Sequence, residues 1–394
     1  MSKEAVKTPS SDKFRLLFEH SSDPHFIFVD GGITDCNDAT IKLLGYSCKK
    51  DILSVHPATL SPKYQPDGSL SSEKSAKMDA LATKNSYHRF EWVHQKKNGE
   101  TFPVEVVLNA FEMDGKKAFI AVWHDLTELK KKEESLRQAN EKMKNDLKAA
   151  SAIQKGMLPV SSPFVKGLRA SWAFRPCDEL GGDILNIFPL DQKHVGLYVL
   201  DVTGHGVAAS LLSVAASHFL SPYSEASFVR SAGGADKLAL ARPAEVANKL
   251  NRHFCSNPDL AQFFTLVYGV LNVESKEFCY ISAGHPPPVV VPRDGIARVA
   301  EGSGFPIGVE QDFEYSELCI KLRAGDRLYL YSDGLTEAKN KQRDLFGEEQ
   351  LLEVLAKTKT VPLSESTETM VREVESWCRP GEPDDDVTLL ACEL

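Results

Sequence analysis

Zinc-type spacing is missing from this chain: its eight cysteines, at 36, 48, 177, 255, 279, 319, 378 and 392, form no Cys-x-x-Cys pair and no zinc-ligand pattern. Reduced, mostly buried thiols are expected. No apolar run approaches the ~18–20 residues of a membrane helix, and the polar stretch Met1–Lys13 lacks the apolar core of a secretory signal. A cytoplasmic protein without a membrane span is therefore expected. Positive charge is also in deficit, and a net charge of −9 argues against a nucleic-acid partner. With 394 residues the chain has room for two or three domains, each with its own core.

What is present is organised around Leu180–Gly206, where Gly181-Gly182-Asp183 and Asp201-Val202-Thr203-Gly204-His205-Gly206 bracket two apolar segments. These segments, Ile184–Leu190 and Val195–Val202, are separated by Asp191-Gln192-Lys193, which reads as a hairpin turn. A hairpin centred on Gln192 opposes residues whose numbers sum to 384, and 183 and 201 are such a pair. Opposed residues have Cα atoms about 4.5–5.5 Å apart. Two carboxylates so close raise each other's pKa unless a cation neutralises them. A divalent metal is the simplest account of the pair, provided the register holds. Two further acidic positions stand at strand ends: Asp333, after Arg327–Ser332, and Asp384-Asp385-Asp386, before Val387–Cys392. Oxygen donors without histidine or thiolate select Mg(II) or Mn(II) over zinc. Isolated strand-end aspartates are usually turn residues, a reading that four such positions together weaken.

Upstream, Phe26–Asp30 and Ile33–Asn37 flank Gly31-Gly32, a two-residue hairpin signal. A short helix capped by Asn37 or Asp38 and ended by Gly45 follows, then a helix over Glu73–Lys84. Three strands are expected at Tyr87–Gln95, Thr101–Glu112 and Lys117–Asp125. This order, closed by Asp125-Leu126-Thr127, resembles a PAS sensory domain over residues 14–127, with 1–13 disordered. The string Asn-Cys-Arg-Phe-Leu-Gln of flavin-binding light sensors is absent. Histidines 20, 25, 56, 88, 94 and 124 are read as structural or exposed rather than as haem ligands, and the PAS ligand stays unknown.

From Leu126 to Leu158 the pattern is one long helix. Leu129, Leu136, Met143, Ala150 and Met157 recur every seven residues, with Leu126, Asn140 and Leu147 at the companion positions, where Glu133 and Gln154 interrupt. This predicts a coiled-coil linker over 128–158 that pairs two copies in parallel, Asn140 meeting its counterpart. The plain alternative is a solvated charged helix. A new globular region follows from residue 159. Within it Val207, Leu211, Leu212, Ala215 and Phe219 predict an amphipathic helix, and Ser221–Pro243 reads as an insertion suited to a mobile flap.

Gly181-Gly182-Asp183, Asp201-Val-Thr-Gly-His-Gly206, Ala283-Gly-His-Pro-Pro287, Phe305-Pro-Ile-Gly308, Ser332-Asp-Gly-Leu-Thr-Glu-Ala338 and Asp385-Asp-Val-Thr-Leu389 occur in one order. Together they resemble the SpoIIE and RsbU-like branch of the PPM metal-dependent serine/threonine protein phosphatases. The resemblance implies an α+β chain: a PAS domain, a helical linker, and a PPM-type α-β-β-α sandwich over 159–394. It implies two Mn(II) or Mg(II) ions, with Asp201 bridging them and the Val202 carbonyl completing one site. Asp333 and Asp385 would hold the other ion. Asp183 would act directly or through water, and Asp386 is the second choice beside Asp385. Asp183 and Asp201 are thus the expected catalytic pair. The implied partner is a phosphorylated anti-sigma-factor antagonist of the STAS type, and helix Ala150–Leu158 is the expected switch.

One departure concerns the proton donor. Many relatives place a histidine two residues after the bridging aspartate, where this chain has Thr203; His205 is displaced and His285 reads as structural. Arg175 is read as a surface residue. Three rivals are weighed. A diguanylate cyclase motif fails at Ile184-Leu185, and a histidine kinase fails for want of a histidine on Leu126–Leu158. A weak or inactive PPM domain acting as a signal-dependent binding protein stays as the alternative.

Overall fold

The structure is a computed structural model and describes residues 9–159, 165–204, 206–232, 238–255 and 263–394. It divides into two compact units, Met1–Lys142 and Met143–Leu394. Among the described residues no helix is long and apolar enough to cross a membrane.

The first unit runs α1 (Pro9–His20), β1 (His25–Val29), β2 (Gly32–Cys36), α2 (Asp38–Leu44), α3 (Ser71–Asn85), β3 (Tyr87–Gln95), β4 (Thr101–Met113) and β5 (Lys116–Asp125). Helix α1 starts at Pro9, within the stretch expected to be disordered, and residues 1–8 lie outside the described residues; Phe14, Leu17 and Phe18 give an i, i+3, i+4 apolar set, and Arg15 pairs with Glu19. Asn37 caps α2 by accepting from the Thr40 amide. The strands form one antiparallel sheet in the order β2-β1-β5-β4-β3. Burial alternates along β1 and β4, which places one face on a core containing Phe26, Phe28, Trp92, Phe102 and Trp123.

A cavity of about 40 Å³ remains in that core, lined in part by Phe26, Phe90, Trp92, His94 and Trp123. Such a volume suits a few water molecules. His94 stacks on Trp123 with centroids 3.7 Å apart, and its Nδ1 lies 3.0 Å from the Leu60 carbonyl. Burial holds this imidazole at about 3, below its ordinary 6.5. The depressed value favours the neutral ring in the fold, so this stabilisation is complete above about pH 6.5 and is lost as pH falls towards 3. Each pH unit in that window costs up to about 1.4 kcal/mol. Acid titration followed by tryptophan fluorescence is expected to show this slope, and His94→Gln to flatten it. An unchanged slope would assign the acid sensitivity elsewhere.

Helix α4 (Thr127–Met157) is continuous, as the heptads require, and the two units divide within it. Residues 143–157 fall in the second unit. In the first unit Leu129 and Leu136 are exposed.

The second unit continues with β6 (Arg169–Arg175), β7 (Ile184–Pro189), β8 (His194–Val202), α5 (Val207–Leu220), β9 (Arg230–Ala232), β10 (Leu238–Leu240) and α6 (Pro243–Cys255). Then come β11 (Phe264–Asn272), β12 (Glu277–Ala283), β13 (Val289–Val291), β14 (Arg298–Val299), β15 (Leu318–Lys321) and β16 (Arg327–Tyr331). The chain closes with α7 (Asp333–Thr336), α8 (Gly347–Lys357), α9 (Leu363–Cys378) and β17 (Val387–Glu393). Two five-stranded antiparallel sheets result, β15-β12-β11-β8-β7 and β14-β13-β16-β17-β6. Leu185, Val199 and Val267 of one sheet meet Val290, Leu330 and Leu390 of the other in a shared core. Outside the first sheet, Leu212 and Ala216 of α5 and Val246 and Leu250 of α6 cover Tyr198 and Leu266. Outside the second, Leu351 of α8 and Met370 and Val374 of α9 cover Tyr329 and Leu389. This is the expected α-β-β-α sandwich, and burial of both sheet faces explains the near-continuous apolar runs.

Three expectations change. Cys279 and Cys319 are joined in a disulfide, against the expectation of reduced thiols throughout; they lie 40 residues apart, and only the β12–β15 register sets them opposite one another. The apolar stripe predicted for α5 is misplaced. Val207 and Leu211 face solvent, whereas Leu212, Ala216 and Leu220 are buried. No element is expected above for 339–383, yet α8 and α9 cover the second sheet there. The insertion 221–243 contains the β9–β10 ribbon, and its residues 233–237 lie outside the described residues.

Candidate metal centre

The hairpin arithmetic holds. Ile184 pairs with Leu200 and Pro189 with Val195, each pair summing to 384, and one further step along this register sets Asp183 opposite Asp201. Asp201 lies within β8 beside Thr265 of β11, and Asp183 directly precedes β7. Asp333 opens α7 at the end of β16, and Asp385 and Asp386 lead into β17. Both sheets thus end their strands at one place, with Asp183 and Asp201 from the first and Asp333, Asp385 and Asp386 from the second.

The electrostatics confirm the proximity. Burial raises Asp201 to about 7, with added repulsion from Asp333 and Asp385. Asp183, almost wholly buried, is raised by burial and then by the charges of Asp201 and Asp386. Asp333 is raised by burial and by Asp385. Among the described residues no lysine or arginine forms an ion pair with Asp183, Asp201 or Asp333. Ligand atoms of Cys177, Asp385 and Asp386 come within 4.8 Å of one another. Burial, reinforced by the Asp386 charge, pushes the Cys177 thiol up to about 12. Buried oxygen donors with unrelieved mutual repulsion fit a hard divalent ion.

Several supporting residues carry no role in the sequence reading. Thr388 donates its hydroxyl to Asp183 Oδ2, and Ser332 donates its hydroxyl to the Asp386 carbonyl at 3.1 Å while accepting the Thr388 amide at 3.2 Å. Asp386 accepts the Cys177 amide at 2.8 Å and the Asp183 amide at 3.1 Å, so both its oxygens brace the backbone under Asp183. On α4, Gln154 Nε2 donates to the Gly181 carbonyl at 2.8 Å, and the Gly181 amide donates to Gln154 Oε1 at 3.3 Å. The heptad interruption at Gln154 was the signal for this contact. The two glycines allow close approach. A Cβ on Gly181 would lie 2.5 Å from Asp386 Oδ2, and one on Gly182 would lie 2.9 Å from the Val202 carbonyl oxygen.

Thr203, at the position where many relatives carry histidine, spends its hydroxyl on the Phe263 carbonyl at 2.9 Å. His205 lies outside the described residues. His285 is buried, with Nδ1 2.7 Å from the Thr265 hydroxyl, and burial lowers it to about 3. It behaves as the packed, neutral residue expected. Arg175 is largely exposed and sits 4.0 Å from Glu375, in keeping with a surface role.

A PAS domain model matches residues 23–128. Phosphoserine phosphatase RsbU of Bacillus subtilis is 26% identical over 207 residues, 52% of this chain and 58% of that protein. Phosphoserine phosphatase RsbP of the same organism is 25% identical over 199 residues, 49% of this chain and 46% of that protein. The matched stretch thus spans about half the length of these relatives. Among solved structures, the SiaA-PP2C domain of Pseudomonas aeruginosa shares the fold, with a TM-score of 0.54 and 21% identity over 65% of this chain and 98% of that one. The model of Stage II sporulation protein E (SpoIIE) matches residues 191–394, more than half of the chain, and the chain belongs to that family.

Proposed function

We propose that the chain is a Mn(II)- or Mg(II)-dependent phosphoserine/phosphothreonine protein phosphatase under the control of its PAS domain. The supporting observation is the gathering of five aspartates from four separate chain segments, three of which, Asp183, Asp201 and Asp333, have raised pKa values and, among the described residues, no partnering lysine or arginine. Two bound ions would neutralise phosphoryl oxygens and lower the pKa of a water molecule. Asp201, Asp333, Asp385 and the Val202 carbonyl would hold them, with Asp386 the alternative to Asp385. Asp183, held by the Thr388 hydroxyl, would act as a direct ligand or through water. The attacking group is water, so no serine or cysteine nucleophile is invoked.

The preferred substrate is a phosphorylated anti-sigma-factor antagonist of the STAS type, and the preferred setting is the cytoplasm. Both follow from the kinship with phosphoserine phosphatases RsbU and RsbP. The test is phosphate release from a serine-phosphorylated STAS protein with and without Mn(II). Thr203, tied to Phe263, favours the second reading, a weakly active binding protein. Failure of release by a chain that nonetheless retains bound metal would support it.

Helix 150–158 is the proposed switch, since Gln154 engages the glycine that packs on Asp386. Gln154→Leu is expected to lower metal-dependent release ~10–100-fold, as loss of an outer-shell contact does, with the fold retained. A wild-type rate and wild-type metal affinity in this variant would sink the switch. A homodimer through the PAS domain and the linker is proposed from exposed Leu129, Leu136 and Met143 at heptad spacing. A monomer by sedimentation at micromolar concentration would refute it.

A further inference from the structure

Helix α5 is apolar on its exposed side as well as on its buried one. Its sequence, Val-Ala-Ala-Ser-Leu-Leu-Ser-Val-Ala-Ala-Ser-His-Phe-Leu, carries no charged residue before His218. Its serines 210, 213 and 217 lie on the buried side, where Ser213 and Ser217 donate to the carbonyls of Ser210 and Val214. The outer face instead shows Val207 and Leu211, 50% and 65% exposed. A helix apolar all round is normally covered all round; this one is covered on one side.

The bare face begins six residues beyond Asp201. Helix α5 starts just beyond the Thr203–Gly206 loop that follows Asp201, and Phe263 is bonded to that loop through its carbonyl, which accepts from Thr203. The neighbouring Phe264 pairs with Ile307, and Phe305 and Val309 stand two residues to either side of Ile307 in the chain. Phe263, Phe305 and Val309 are 40%, 51% and 48% exposed. Residues 206–217, 263–269 and 303–309 contain no lysine or arginine. Grouped exposed apolar side chains of this kind mark a protein-binding surface.

We propose that this rim seats the phosphoprotein substrate through apolar side chains flanking its phosphoserine. The proposal rests on the phosphatase reading and deepens it. A phosphoserine side chain is short, so its phosphoryl group reaches Asp201 only when the adjoining backbone lies on whatever borders the centre. With no basic residue in these stretches, the flanks are recognised by burial of apolar surface rather than by charge.

The test uses the full Mn(II)-loaded chain and two phosphoserine peptides of equal length, one flanked by leucine and valine, the other by glycine and serine. The readout is the ratio of their kcat/KM values, which is insensitive to a general loss of activity. Wild type is expected to prefer the apolar peptide by ~10-fold or more, as loss of a single apolar anchor commonly costs. Leu211→Asp and Phe305→Ser should each bring the ratio close to one. Ile296→Asp, at an exposed position on the β13–β14 connection, should leave it unchanged. A ratio near one in wild type, or one indifferent to Leu211→Asp, overturns the proposal. So does a Leu211→Asp chain that changes from dimer to monomer while keeping its preference, since the face would then join two copies. Hydrolysis of neither peptide by a chain that still releases phosphate from the serine-phosphorylated STAS protein overturns this surface alone, whereas release from none of the three overturns the phosphatase reading and this surface with it.

Discussion

Replacing Asp201 by asparagine is expected to cut Mn(II)-dependent phosphate release by at least ~1,000-fold. A metal centre supplies several kcal/mol of transition-state stabilisation, and each ~1.4 kcal/mol is a factor of ten in rate. The variant should also change how metal affects stability, and the sign follows from linkage. In the metal-free fold Asp201 is raised to about 7 by burial and by Asp333 and Asp385, whereas an unfolded aspartate ionises near 4. Its contribution is therefore most favourable below about pH 4 and is lost as pH rises through about 7. Bound metal relieves that repulsion and requires the ionised ligands. The rise in Tm on adding Mn(II) should accordingly grow between pH 5 and pH 8 in wild type and shrink in Asp201→Asn. Calorimetry at several pH values reads this directly. Full activity in Asp201→Asn, or a Tm shift independent of pH, would remove Asp201 from the centre.

Gly182→Ala is expected to have the second-largest effect. A Cβ there would lie 2.8 Å from the Gly204 carbonyl oxygen and 2.9 Å from that of Val202, which are backbone atoms with no side-chain freedom to yield. The strand must shift, and it carries with it both Asp183 and the proposed Val202 ligand. Overpacking of this kind costs about 1–3 kcal/mol, a loss of several degrees in Tm for a unit of this size. Activity should fall further than stability does, by ~100-fold or more, because displacement of outer-shell support alone costs 10–100-fold. Circular dichroism checks the fold and isothermal titration with Mn(II) checks the site. Normal metal affinity in a stable Gly182→Ala chain would show that the Val202 carbonyl is not part of the centre.

Much of the second unit was legible because local rules and global fold agree there. Turn residues at 191–193 set the hairpin register, and the register alone sets Asp183 opposite Asp201. In the first unit, the hairpin, the Asn37 cap and the three long strands follow from turn chemistry and alternation. Helix α5 was read with the wrong stripe because its sequence is apolar on every side, so periodicity could not choose a buried face. Gln154 looked like a flaw in a heptad until Gly181 stood beside it.

The sequence by itself determined the kinds of groups, their order and their local geometry: hard acids at strand ends, a sensor-like sheet ahead of them, and a long helix between. These depend on neighbours a few residues apart, where backbone sterics and side-chain period are decisive. Tertiary structure alone decided which distant groups meet. Asp386 braces the Asp183 backbone from 203 residues away, Thr388 bonds the Asp183 carboxylate from 205 residues away, and Cys279 meets Cys319 across a sheet edge. No local period encodes such contacts, because they arise from the stacking of two sheets whose order along the chain differs from their order in space.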